Sequence, residues 1–410
     1  MSFSFEKQGS AEGRFFFLKN KVIIIPYNNP RFWIADYIKK TENILSQENI
    51  VFSFLWQDSL SIKEIFTKKI KNRDHFKFKF ISRKGGVYYL RPIHFLPLRR
   101  FSSVELINLI INSYLLKIFI FFSGNQKKEK IVWIFHPDFW LLPRIFGRSY
   151  LSLYDCIDYF SSINANEEEK IRQKEEKLIK NVQIMTVMSQ ALKNLYRTKK
   201  KEVTVTSQGF SLDTFQLQSK IKLPKNNLIF KLKKPIIGYA GGINYRLDYD
   251  LLIKVVQKNP QLTFLFIGPL QKDYFKTFAQ ELEKLKNLKN AHFLENQPRE
   301  LLAEIIKYFD ICLIPYDIEQ EFNKFCYPMK VFEYFYVGKP TISTPIEELK
   351  RLQPYVKIAK DAQEFTREIR KILKTGWPKG YVQKQKKLAI ANSWANKIEK
   401  IDQILLNQQK

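Results

Sequence analysis

Short apolar runs alternate with helical stretches along nearly the whole chain. KVIIIPY (21–27) and IVFSFLW (50–56) read as strands, with a helix from about Arg31 between them. A helical stretch over 104–120 precedes the strand-like runs IVWIFHP (131–137) and SYLSLYD (149–155). EEEKIRQKEEKLIK (167–180) is a charged helix, followed by the runs VQIMTVMS (182–189) and EVTVTSQGF (202–210), with a helix around 190–197 between them. Residues 217–235 break the pattern: they are basic, have prolines near both ends and show no clean period. The alternation then restarts. PIIGYAGG, LTFLFIGP, NAHFLE, DICLIPY and PTISTP read as strands, with helices over 248–257, 271–286, 299–307 and 328–336 between them. A last helix is expected over 392–407. Strands alternating with helices predict parallel sheets covered on both faces, hence an α/β fold built of two doubly wound units.

Length agrees with that division. A chain of 410 residues exceeds one compact core, and its 45% apolar content is enough to fill two. The three cysteines, Cys156, Cys312 and Cys326, form no close pair, which argues against a disulfide framework or zinc site and for a reducing compartment. The first twenty residues lack an apolar run behind a basic start, so no signal peptide is expected. The greasiest stretch, 104–122, carries Glu105, Asn108, Asn112 and Lys117. A membrane span needs ~20 nearly uninterrupted apolar residues, so a buried amphipathic helix is predicted there instead.

Charge changes the picture less than its size suggests. The net charge is +29, densest over residues 51–100 with 12 basic and 3 acidic positions. Compositional bias, attraction to an anionic membrane surface and nucleic acid binding compete to explain it, and charge alone does not decide between them. No arginine–aromatic signature or recognition helix supports nucleic acid as a partner.

The most specific chemistry lies in FDICLIPYDIEQEFNKFCYPMKVFEYFYVGKPTISTP, 309–345. A buried strand ends at Pro315-Tyr316, a polar loop follows, and Tyr327-Pro328 opens a helix where the missing N–H of proline costs nothing. Lys330 and Glu333 share one face near the helix start, Gly338 closes the helix, and Pro340 prevents its continuation. A helix N-terminus offers free N–H groups and partial positive charge to a pyrophosphate; Lys330 adds a full charge and Glu333 can accept from two ribose hydroxyls. The bland alternative is a surface salt bridge on a capped helix. Gly241-Gly242, after the strand IIGYA, lets backbone N–H groups approach an anion closely, with Arg246 four residues on. Asp155 and Asp158 in LYDCIDYF end a strand where open sheets bind ligands, and either could take a proton from a hydroxyl. Such aspartates also often cap the next helix. His136 is expected to be a core or supporting residue.

The 309–345 string resembles the PxKxxEYxxxGKPxxSTP signature of GT-B glycosyltransferases. VMSQALKNLY (187–196), SQGFSLDTF (207–215), IIGYAGGINYRLDYDLL (236–252), FLFIGP (264–269) and SWANKIEKI (393–401) resemble that family's motifs in the right order. The resemblance covers about 130–405 well and 20–130 by pattern alone. It implies two Rossmann-like domains facing across a cleft, with a C-terminal helix crossing back to the N-terminal domain. Their expected extents are 1–225 for the acceptor side, 226–376 for the nucleotide-sugar side and 377–410 for the crossover. The implied activity moves a sugar from a nucleoside-diphosphate sugar to a hydroxyl, on a glycan or lipid-linked acceptor, at the inner face of the cell membrane or in the cytoplasm. The implied donor contacts are Gly241, Gly242, Arg246, Tyr327, Pro328, Lys330 and Glu333, with Asp158 or Asp155 as base, no metal and no cofactor beyond the donor itself. Two departures stand out. Retaining members carry an acidic residue eight positions before the ribose-binding Glu, where this chain has Phe325, and an Arg after the glycine turn, where it has Ile243. A nucleotide-sugar 2-epimerase and a non-catalytic sugar-nucleotide binder are the alternatives on this scaffold.

Overall fold

The computed structural model describes residues 16–27, 32–56, 59–61, 81–96, 101–163, 168–197, 202–216, 222–271 and 275–408. Contacts divide the chain into two units: Met1–Val187 with Tyr196–Thr206 and Lys397–Lys410, and Met188–Leu195 with Ser207–Asn396.

The first unit is built on an eight-stranded sheet. Its strands are β1 (Val22–Tyr27), β2 (Ile50–Leu55), β4 (Ile81–Lys84), β5 (Val87–Leu90), β7 (Lys130–Ile134), β8 (Tyr150–Cys156), β9 (Ile184–Val187) and β10 (Val203–Val205). A separate pair, β3 (Leu60–Ser61) and β6 (Ile93–His94), stands beside it. The order is β10-β9-β8-β7-β1-β2-β5-β4, parallel throughout except for β4 against β5. Central strands are covered on both faces, so they read as unbroken apolar runs: Val22, Ile23, Ile24 and Ile25 are all buried. The antiparallel edge was not expected from the sequence. It turns at Gly85-Gly86, both at positive φ (57° and 85°), which a two-residue hairpin of this hand requires.

The helix expected over 104–120 spans Ser102–Phe122, but the prediction that it is buried needs correction. One face packs inward through Asn108, Leu109, Asn112, Ser113, Leu116 and Ile120, and the opposite face is exposed although apolar. It is a helix long and apolar enough to cross a membrane, with a third of its most apolar window buried.

The closing helix, Trp394–Asn407, contributes two buried polar anchors to the first unit. Asp402 accepts from the backbone N–H groups of Phe16 and Phe17 at 2.9 Å each. Lys397 reaches Asp155 Oδ1 at 3.3 Å and Thr206 Oγ1 at 3.2 Å.

The second unit holds a six-stranded parallel sheet of β11 (Ile236–Ala240), β12 (Thr263–Ile267), β13 (Ala291–Leu294), β14 (Ile311–Ile314), β15 (Thr341–Ser343) and β16 (Lys357–Ile358). Its order is β13-β12-β11-β14-β15-β16. The first three strands run outward in one direction and the next three in the other, as in dinucleotide-binding sheets, so the order reverses between β11 and β14. The crevice beyond the carboxyl ends of those two strands is the expected ligand position. Helix starts follow sequence signals: Asp248 accepts from the Leu251 N–H at 2.8 Å and Asp361 from the Glu364 N–H at 2.8 Å. Of the predicted 271–286 helix, 272–274 lie outside the described residues, and the rest is a 3-10 turn at Phe275–Thr277 followed by a helix at Ala279–Lys286. Two further helices, Ala362–Thr375 and Tyr381–Ala391, were not anticipated.

Candidate functional site

The reversal point of the second sheet carries a cluster of cations and phenols. β11 ends in Tyr239-Ala240 and turns at Gly241-Gly242, where the Tyr239 hydroxyl donates to the Gly242 carbonyl at 2.9 Å. Gly241 has φ +155°, and a Cβ built on it would lie 2.8 Å from both Cε and Nζ of Lys330. The turn therefore runs directly against the lysine. A neighbouring glycine, Gly268, packs its α-carbon on the Gly241 carbonyl; a Cβ there would lie 2.0 Å from that oxygen.

Lys330 is the first residue of the helix Lys330–Val337. Its ammonium donates to the Tyr316 hydroxyl, lies 3.4 Å from the Tyr239 hydroxyl and sits over both rings, 4.9 Å from the Tyr239 centroid and 4.6 Å from that of Tyr316. Burial opposes the charge, but the two phenols outweigh it and hold the ammonium above its usual pKa. Arg246 comes to the same ring, its guanidinium carbon 4.4 Å from the Tyr316 centroid and 4.5 Å from that of Phe322. Buried Asn323 fixes it: Oδ1 accepts from Arg246 Nε at 2.8 Å and Nδ2 donates to the Arg246 carbonyl at 3.0 Å. Burial raises the Tyr316 pKa, yet Lys330 and Arg246 together bring it below the ordinary phenol value. Two cations drawn onto one ring, beside a glycine turn, make a compact site of positive potential suited to an anion.

The helix itself is aligned by Tyr334, whose hydroxyl accepts from the Ala240 N–H at 2.9 Å, one residue before the glycine turn. Helical bonding begins early, with the Val331 N–H on the Pro328 carbonyl at 3.2 Å and the Phe332 N–H on the Met329 carbonyl at 3.0 Å. Tyr327 is buried with its ring 5.3 Å from Phe332. Glu333 is buried in the first turn, three residues after Lys330. Gly338 ends the helix in the left-handed region at φ 76°. Phe325, where an acidic residue stands in retaining relatives of the resembled family, offers its carbonyl to the Ser189 hydroxyl at 2.8 Å. The structure thus gathers Gly241, Gly242, Arg246 and Lys330 in one place, with Tyr327, Pro328 and Glu333 on the helix that supplies the lysine.

The aspartates of the first unit divide into different roles. Asp155 is wholly buried, takes the Thr186 hydroxyl at 2.9 Å and pairs with Lys397, itself buried. Burial pulls the Lys397 ammonium below its usual pKa and Asp155 works against that shift. Such a carboxylate is committed to the closing helix, not presented to a substrate. Asp158 lies beyond the strand end, buried, its Oδ1 accepting from the Tyr159 N–H at 3.0 Å. His136 caps the following turn, Nδ1 accepting from the Asp138 N–H at 3.2 Å, with its ring 4.7 Å from Phe160. Asp138 in turn holds Lys174 at 2.5 Å, and although burial acts the other way, His136 and Lys174 keep its carboxyl well below the usual range. Glu175 is buried too, satisfied by the hydroxyls of Tyr154 (2.5 Å) and Tyr196 (2.8 Å).

Sequence reasoning missed Tyr239, Tyr316 and Asn323. The first two carried a signal, a tyrosine at the carboxyl end of each of the two strands that flank the reversal; Asn323 carried none.

Comparison with known proteins agrees with this architecture. The family described as glycosyl transferases group 1 matches residues 221–393. TuaH of Bacillus subtilis (strain 168), described as a teichuronic acid biosynthesis glycosyltransferase, is 24% identical over 280 residues, 64% of this chain and 68% of its own. Sucrose-phosphate synthase from Thermosynechococcus elongatus superposes with a TM-score of 0.67 at 14% identity, covering 95% of this chain and 99% of the other. Anabaena Alr3699/HepE in complex with UDP gives a TM-score of 0.65 at 11% identity, covering 94% and 99%. The chain has the GT-B fold, and its residues 221–393 match the glycosyl transferases group 1 family.

Proposed function

We propose that the second unit holds a nucleoside-diphosphate sugar, with the diphosphate on Lys330, Arg246 and the Gly242 N–H, the Gly241 N–H being held by the Ile267 carbonyl at 2.8 Å, and the ribose hydroxyls on Glu333. Tyr327 and Pro328 set the entry into the helix that carries Lys330 and Glu333. One observation carries the reading: Lys330 and Arg246 converge on Tyr316 at the reversal point of a parallel sheet, beside a glycine turn. An acceptor hydroxyl attacks the anomeric carbon and the nucleoside diphosphate leaves. Negative charge then grows on the leaving oxygen, and the ammonium, the guanidinium and the helix N-terminus stabilise it without a divalent metal. Asp158 is our choice for the residue that takes the acceptor proton, since Asp155 is spent on Lys397. The acceptor is a lipid-linked or cell-surface glycan, a reading supported by the teichuronic acid role described for TuaH, and the enzyme works in the cytoplasm at the inner membrane face. UDP bound in Alr3699/HepE makes uridine diphosphate sugars the first donors to try.

The test is a thermal-shift screen against UDP-, GDP-, ADP- and dTDP-sugars. A ligand at 100 times its dissociation constant stabilises by about 2.7 kcal/mol, a readily measured rise in midpoint. One nucleotide class should raise it; no shift with any of the four refutes donor binding.

A further inference from the structure

The Ser102–Phe122 helix buries Asn108, Asn112 and Ser113 beside Leu109, Leu116 and Ile120, and exposes an apolar face. Inward, Asn112 bonds both backbone groups of Ile93, at 2.7 Å each, and Asn108 bonds both of Leu96, at 3.1 and 3.2 Å. Outward, Ile107, Tyr114 (51% exposed), Leu115, Ile118 (52%), Phe121 (58%) and Phe122 (80%) form one stripe at helical spacing. Water on that stripe is unfavourable, and a continuous apolar face of this kind marks an interaction surface. Below it, a groove is walled by Tyr114, Ile118, Phe121, Phe122 and Tyr150, with Lys117 and Lys130 at its edge. Lys127 and Lys128 follow in the turn after the helix, and the nearby acid Glu129 is engaged by Lys21.

We propose that this face is a membrane-docking surface: the helix lies in the plane of an anionic leaflet, its apolar stripe in the acyl boundary and its lysines among the lipid phosphates. An apolar helix face edged with basic residues is the form such interfacial helices take. Aromatic residues at the rim suit the head-group depth. The bonds of Asn108 and Asn112 to residues 93–96 keep the helix on the protein, so it lies on the bilayer instead of crossing it. A second copy of this chain fits less well, because self-association through the stripe would bring Lys117, Lys127, Lys128 and Lys130 of each copy together. The surface differs from the basic 51–100 stretch, most of whose excess, including Lys68, Lys69, Lys71, Arg73, Lys77 and Lys79, lies outside the described residues. The inference does not depend on the donor site.

Flotation of the full chain with phosphatidylcholine vesicles, with and without phosphatidylglycerol, tests it. The chain should float with the anionic vesicles only, and less as salt rises. Ile118→Ser/Phe121→Ser/Phe122→Ser should weaken vesicle binding by at least about a hundredfold with an unchanged melting midpoint, since all three side chains are exposed. Lys127→Glu/Lys128→Glu should weaken it by at least about tenfold. Wild type that ignores anionic vesicles, or a triple variant that binds as well as wild type, overturns the proposal. So does a wild-type dimer that the triple variant splits, which would assign the stripe to a second copy.

Discussion

At Gly241 the room for one methyl group separates a working cation from a displaced one. The absent Cβ would stand 2.8 Å from the Lys330 ammonium, so Gly241→Ala should push that side chain off Tyr316 and reduce nucleotide affinity about tenfold or more, with the fold retained. Calorimetry and a melting curve on the same sample read the two effects separately. Asn323→Ala should act through Arg246, loosening the guanidinium and the loop carbonyl it binds; the expected cost is about 1–3 kcal/mol in chemical denaturation. Glu42 gives a pH test. Burial raises its pKa from 4.5 to about 7, above the unfolded value. Its contribution is therefore fully present below about pH 4.5 and is lost as pH rises through 7. Glu42→Gln should remove that loss and be more stable than wild type at pH 8 by up to about 3 kcal/mol, with little difference at pH 4. At this scale the sequence showed the site where its parts are local: Lys330, Glu333 and Gly338 share one helix, and Gly241-Gly242 one turn. Tyr239, Tyr316 and Asn323 escaped because their partners are distant along the chain and a phenol or amide has no fixed role until it meets them.

Elements behave as their buried polar contacts dictate. Lys397→Met leaves Asp155 buried without its ammonium, and should destabilise the first unit by about 3–5 kcal/mol in denaturant unfolding. Asp155→Asn combined with Lys397→Met should recover part of that loss, a coupling that a double-mutant cycle measures. Gly338→Ala tests the helix end: the residue is left-handed, and a Cβ there would meet Val382 Cγ1 at 2.6 Å, so a loss of about 1–2 kcal/mol is expected. Most parallel strands were legible, since burial on both faces forces runs such as VIIIPY and TFLFI into view. The β4–β5 hairpin was not, because β4, ISRK, has a single apolar residue and the VYYL run of β5 is only four residues long. The Ser102–Phe122 helix was found but its orientation misjudged. Composition says how apolar a helix is, and only its hydrogen bonds to residues 93–96 decide which face turns inward.

For the molecule as a whole, the restart of the strand–helix rhythm after residue 235 announced two doubly wound sheets, and both are present. What the rhythm could not convey was strand order, which places the reversal between β11 and β14 and hence the cluster on Tyr316. Leaving-group charge met by Lys330, Arg246 and a helix N-terminus predicts that transfer activity survives EDTA; complete loss restored by magnesium or manganese would show a metal in that role. Donor binding at this cluster precedes every later step proposed above. The measurement that reaches it most directly is calorimetric titration of the best donor from the screen into wild type, Lys330→Ala and Glu333→Ala. Each variant should lose ~1.5–3 kcal/mol, roughly ten- to a hundredfold in affinity, and remain folded. Wild-type affinity in both variants would contradict the account.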